Sequence, residues 1–89
     1  MEFEWDEAKN RTNLEKHGVD FADAAAVFAD PSHLTLPDDR FSYGEQRYII
    51  VGSVDERMHV VVYTVRDGVI RIISARKANM RERSRYGNS

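Results

Sequence analysis

Asp67-Gly68 constrains this chain more than any other pair of residues. It stands between two runs rich in β-branched and aromatic residues, 58–66 and 69–76. A two-residue loop between antiparallel strands needs positive φ, which Gly and Asp tolerate. A tight hairpin is therefore expected, and its turn fixes the register. Arg66 should face Val69, Thr64 Arg71, Val62 Ile73, and His59 Arg76. A third run, 47–53, comes before the hairpin. With its turn centred on Asp55-Glu56, Ser53 lies opposite Met58, Arg47 opposite Thr64 and Glu45 opposite Arg66. Cross-strand partners share a face. One face is thus expected to carry Arg47, Thr64 and Arg71 in a row, with Arg66 and Glu45 beside them. The other face should carry His59, Ser74 and Arg76. A one-residue slip in the first turn would move Arg47 across the sheet.

The remaining elements follow from caps and breakers. Phe3-Glu4-Trp5 alternates apolar and charged residues and reads as a short edge strand. Asp6 can cap a helix over 7–17, where Glu7 suits the first turn and Lys16-His17-Gly18 the last. Its apolar stripe is thin, Ala8 and Leu14, which predicts a surface helix. Asp20 can cap a second helix in which Phe21, Ala24, Ala25 and Phe28 keep a helical period, stopped near Asp30 by Pro31. A short strand over 33–36 ends at the Pro37-Asp38-Asp39 turn cluster. Helix formers return after Arg76 through about Tyr86, and Gly87-Asn88 ends them. The order β-α-α-β-β-β-β-α predicts one α+β domain over 1–89, with an antiparallel sheet of four to five strands, two N-terminal helices and a C-terminal helix.

Charge separates the chain into two parts. Residues 66–89 hold seven of the thirteen cations and two of the fifteen acids, or +5, which leaves −7 over 1–65. Six of those seven cations are Arg, whose planar fork binds phosphate bidentately. The pattern points to an anionic partner at one site instead of general adhesion to polyanions. The absence of cysteine excludes disulfides and thiolate chemistry. No apolar leader or bilayer-length run is seen, so a cytoplasmic protein with no membrane partner is expected.

Arg on central strands is costly unless paired or hydrated. Arg47, Arg66 and Arg71 therefore either pair with Glu45 and other carboxylates at wet strand ends or converge on an anion. On the last helix, Arg81, Arg83 and Arg85 form a solvated face or a binding face, and Tyr86 either packs in the core or stacks on a base. His17 is a helix C-cap residue or a general acid–base group, while His33 and His59 read as structural. No phosphate loop, nucleophile elbow or metal-ligand spacing occurs, so no cofactor and no metal are implied. A binding module that docks an acidic partner or nucleic acid without chemistry remains the alternative. A DNA-binding regulator acting alone lacks a helix-turn-helix pairing.

Several segments resemble the BrnT toxin family. They are Phe3-Glu4-Trp5-Asp6, 13–21, 27–31, Gly44-Glu45-Gln46-Arg47, 62–66 and, above all, Arg71-Ile72-Ile73-Ser74-Ala75-Arg76-Lys77-Ala78, followed by Glu82-Arg83 and Tyr86. The chain departs from the family pattern at Glu7, Gln46 and Tyr63. The resemblance implies a RelE-like fold and a type II toxin that cleaves RNA to inhibit translation. It also implies a BrnA-like antitoxin, a small dimeric DNA-binding protein that covers the toxin. Toxins of this wider group use Arg, Lys and Tyr, and the carry-over falls on Arg47, Arg66, Arg71, Arg76 and Tyr86. On this reading cleavage is metal-independent. The ribose 2′-OH attacks phosphorus, Arg66 and Arg71 neutralise the phosphate, Arg47 and Arg76 orient the backbone, and Tyr86 stacks on a base. Glu45, His17 or a tyrosine serves as general base.

Overall fold

The computed structural model describes residues 1–40 and 44–87 of the chain. Phe3–Glu4 forms β1 and Glu7–His17 forms α1, followed by α2 at Phe21–Ala24 and a 3-10 turn at Ala25–Ala29. Then come β2 (Leu34–Pro37), β3 (Arg47–Val54), β4 (Arg57–Arg66), β5 (Val69–Lys77) and α3 (Met80–Tyr86). The second helical segment tightens because Phe21, Ala24 and Val27, three residues apart, are the ones fully buried. A spacing of three matches the 3-10 helix, not the expected α-helical period. Gly87 caps α3, and the Asn88 half of the expected stop lies outside the described residues.

The five strands form one sheet in the order β1-β5-β4-β3-β2. β1 runs parallel to β5, so the sheet is mixed and the expectation of an all-antiparallel sheet is corrected. One edge of β5 is taken by β4, and β1 enters along the other edge through Phe3↔Ile70 and Glu4↔Arg71. Both hairpin turns stand where expected. Asp55 and Glu56 take φ of 50° and 66°, and Asp67 and Gly68 take 53° and 77°. The β3–β4 register is the anticipated one, with Arg47↔Thr64 and Ser53↔Met58.

The second hairpin departs from its predicted register partway along. Arg66↔Val69, Thr64↔Arg71 and Tyr63↔Ile72 hold, and then Val62 pairs with Ser74, Val60 with Arg76 and His59 with Lys77. The expected pairs Val62–Ile73 and His59–Arg76 are therefore incorrect. A bulge inserts Ile73 as an extra residue on β5. Burial supplies the reason. Ile72 and Ala75 are 2% and 0% exposed in the same core, an odd spacing that strict alternation cannot place on one face. The insertion turns Ser74 and Arg76 onto the face that carries Arg47, Thr64 and Arg71, instead of the opposite one.

The helices cover one face of the sheet. Val19, Phe21, Ala24 and Val27 pack there on Ile50, Val61, Tyr63, Ile72 and Ala75. Phe28 lies edge-on between Phe3 and Tyr63, at 5.2 and 5.0 Å between ring centroids. The 3-10 turn approaches β3 closely at Gly52, where a Cβ would stand 2.9 Å from the Val27 side chain. On the other face α3 covers one end, where Val51, Val60 and Ala78 pack with Met58 and Tyr86.

α1 lies on the surface as its thin apolar stripe predicts, with Leu14 44% exposed. Its one buried residue, Asn13, seats it. Its carboxamide donates to Ala75 O at 2.8 Å and accepts from Ala75 N at 3.1 Å, as a neighbouring strand would. Its second N–H donates to Val19 O at 2.9 Å. Asn10 repeats the device toward α2, accepting from Phe21 N and donating to Asp20. Asn13→Ala should cost about 2–4 kcal/mol, because it leaves buried backbone groups unpaired. Leu14→Ala, its neighbour, should cost less than about 1 kcal/mol. Urea unfolding of both variants checks the order, and equal losses would mean that Asn13 is not the anchor.

Candidate active site

The face of the sheet opposite the helices carries the chemistry. Its rows follow from the register: Arg66 and Val69, then Arg47, Thr64 and Arg71, then Ile49, Val62 and Ser74, then Val51, Val60 and Arg76. Thr64 is buried and donates to Gln46 O at 2.6 Å, which secures the start of β3 beside β4. The expected row of Arg47, Thr64 and Arg71 is present, and the bulge extends the same face to Ser74 and Arg76.

Each predicted arginine meets a carboxylate. Arg66 grips Glu45 through Nε and Nη2, at 3.1 and 2.9 Å, and Arg47 lies 3.6 Å from the same carboxylate. The Arg66 hydrogen bonds, aided by the charges of Arg66 and Arg47, hold Glu45 below the usual carboxylate range. Arg71 bonds Glu4 at 2.8 Å across β1. Arg76 and Glu82 form a fork-to-fork pair at 2.7 and 2.8 Å, with Glu82 also accepting from Asn79 N in the α3 capping box. Glu82 is lowered to about 2, first by the Arg76 hydrogen bonds and then, against its burial, by the Asn79 N–H.

A hollow of about 310 Å³ opens between this face and α3. Ile49, Val51, Val60 and Val62 form its apolar floor, and Leu36 of β2 borders it. Arg76, Glu82 and Tyr86 line one side, Arg40 another, and Ser74 and His17 the β5 edge. His17 arrives because Asn13 clamps α1 against Ala75, which carries the last turn of the helix past that edge. Of the five predicted site residues, Arg76 and Tyr86 meet in the hollow. Arg47, Arg66 and Arg71 lie farther along the same face, Arg47 and Arg71 about 13 Å from the Arg76 row by strand rise.

Sequence reasoning missed Arg40, Glu82, Ser74 and Leu36 as members of the site. Arg40 is held by Asp38 at 2.8 and 3.0 Å, and Asp38, 3% exposed, is tied to β3 through Arg47 O. The one available signal was Asn79 followed three residues later by Glu82, a capping-box spacing that places Glu82 at the mouth of α3. His59 is structural, as expected, with Nδ1 2.7 Å from Arg57 O. Among the described residues no group of His, Asp or Glu could hold a metal ion, and no helix is long and apolar enough to cross a membrane.

The Arg76–Glu82 pair makes stability depend on pH in a defined direction. A depressed carboxylate contributes stability above its unfolded value near 4.5, and that stability is lost as pH falls toward about 2. The urea midpoint of the wild-type protein should drop across that interval. Glu82→Gln should start lower at neutral pH and drop less. Parallel profiles for the two proteins would show that the pair contributes nothing to folding.

Residues 5–82 match the family described as ribonuclease toxin, BrnT, of type II toxin-antitoxin system. The comparison with curated proteins returns no match.

Proposed function

The chain belongs to the BrnT family of ribonuclease toxins of type II toxin–antitoxin systems, and from that premise we propose that it cleaves single-stranded RNA in the hollow between the sheet and α3. The observation that carries this reading is the convergence of His17, Arg76 and Tyr86 from α1, β5 and α3 on that hollow. A histidine, a guanidinium and an aromatic ring are the parts needed to move a proton, hold a phosphate and stack a base.

The proposed reaction needs no metal. The ribose 2′-oxygen bonds to the adjacent phosphorus while the bond from phosphorus to the 5′-oxygen breaks, leaving a cyclic phosphate and a 5′-hydroxyl. The His17 imidazole takes the 2′-OH proton, and water in the open hollow protonates the departing oxygen. Arg76 has five N–H donors and directs two at Glu82 and, through Nη1, one at Lys77 O at 3.5 Å, which leaves Nε and one Nη2 N–H for the phosphate. Glu82 fixes the plane of that fork, which pre-organises it for an oxyanion. Tyr86 stacks on a base, and Arg47, Arg66 and Arg71 guide the RNA backbone along the face. A helix-covered sheet with one open face supports placing the fold among RelE-like proteins. On the same reading a BrnA-like antitoxin covers this face in the cytoplasm, and translation is the process the toxin stops.

The carboxylate pairing of every predicted site arginine favours a second reading, a module that binds without cutting. Purified protein incubated with RNA, with products mapped at their 5′ ends, separates the two. Arg76→Ala should lower the cleavage rate about 100- to 1,000-fold, the usual loss for one well-placed donor. His17→Gln should lower it by about 100-fold or more. Cleavage should continue in EDTA, and its loss there would overturn the metal-free reaction. RNA that is bound but never shortened would favour the binding module.

A further inference from the structure

The arginines along the open face of the sheet are carboxylate-paired, whereas the two cations that line the neighbouring concavity are lysines. Arg40, Arg47, Arg66, Arg71 and Arg76 each pair with Asp38, Glu45, Glu4 or Glu82. Lys9 and Lys16 of α1 have no carboxylate at ion-pair distance among the described residues. Both border a second concavity, an open groove of about 360 Å³ between α1 and the outer side of β5. Lys9, Thr12 and Lys16 stand on one side of this groove at helical spacing, and Ile73 and Ser74 stand on the other. Neither acid of the helix, Glu7 or Glu15, lines it. The β5 bulge gives the groove its apolar wall, because the inserted Ile73 is partly exposed there.

The groove and the hollow adjoin. His17 and Ser74 line both, so one strand of a polymer can pass from one to the other over the β5 edge. We propose that the α1–β5 groove is a second subsite for single-stranded RNA, holding nucleotides that flank the cleaved bond. Lys9 and Lys16 meet phosphates and Ile73 packs against a base or ribose. Charge complementarity and continuity with the hollow select this occupant. An unpaired ammonium on a solvated helix side attracts phosphate as a point charge with no desolvated partner to displace. The proposal rests on the cleavage reading for its location but differs from it in what it predicts.

The test compares the double variant Lys9→Gln/Lys16→Gln with Arg11→Gln, which removes a charge from the same helix but does not line the groove. Binding of a non-cleavable 2′-O-methyl oligomer of about ten nucleotides is followed by fluorescence anisotropy across a salt series. The double variant should bind roughly tenfold or more weakly, and its log–log salt slope should fall by about 1.4, near 0.7 for each phosphate no longer neutralised. Arg11→Gln should match wild type. Cleavage of a dinucleotide, which fills only the hollow, should be unchanged in the double variant, while KM for the longer substrate rises. A double variant that binds and cleaves the oligomer like Arg11→Gln overturns the subsite and leaves the cleavage reading intact. Binding with the predicted slope change but no cleavage by the wild-type protein supports the subsite and overturns the cleavage reading. Unchanged oligomer binding with weakened binding of poly-glutamate would give the groove to an acidic polypeptide and overturn the proposal.

Discussion

The Asn13 carboxamide holds the arrangement together. β1 is two residues long and covers β5 only at Ile70 and Arg71, so the edge of β5 beyond the bulge has no strand beside it. Asn13 satisfies that edge with one donor and one acceptor at Ala75 and so fixes the height and rotation of α1. Unpaired backbone groups at a buried edge are expensive, which makes the amide far more than a surface contact. Both concavities depend on this seat, since α1 forms one wall of the groove and delivers His17 to the hollow.

The bulge at Ile73 is the complementary constraint. Ile72 and Ala75 both enter the core, and one extra residue between them resolves the conflict with strand alternation. The same insertion brings Ser74 and Arg76 onto the chemical face and pushes Ile73 outward. A packing requirement on one side of the sheet thus arranges the functional groups on the other.

The acidic residues have a further part in this protein. Glu4, Glu45, Asp38 and Glu82 each sit against an arginine, so the face is less positive than its arginine content suggests. Such pairing offsets the repulsion that clustered guanidinium groups would suffer during folding. It also orients the forks. An exposed pair contributes little stability by itself, so geometry is the stronger reason for these carboxylates to be where they are.

The sequence by itself determined what depends on short-range chemistry. The caps at Asp6, Asp20 and Gly18, the turns at Asp55-Glu56 and Asp67-Gly68, and the order of elements were legible because each is set by a few neighbouring residues. The row Arg47, Thr64 and Arg71 was legible for the same reason, being counted outward from those turns. Tertiary structure alone decided the parallel attachment of β1, the anchoring of α1 by Asn13, the bulge, and therefore the meeting of His17, Arg76 and Tyr86. Each of these joins residues far apart in the chain. A local pattern cannot reveal that Ala75 must be buried under a helix whose contact residue lies sixty-two positions away.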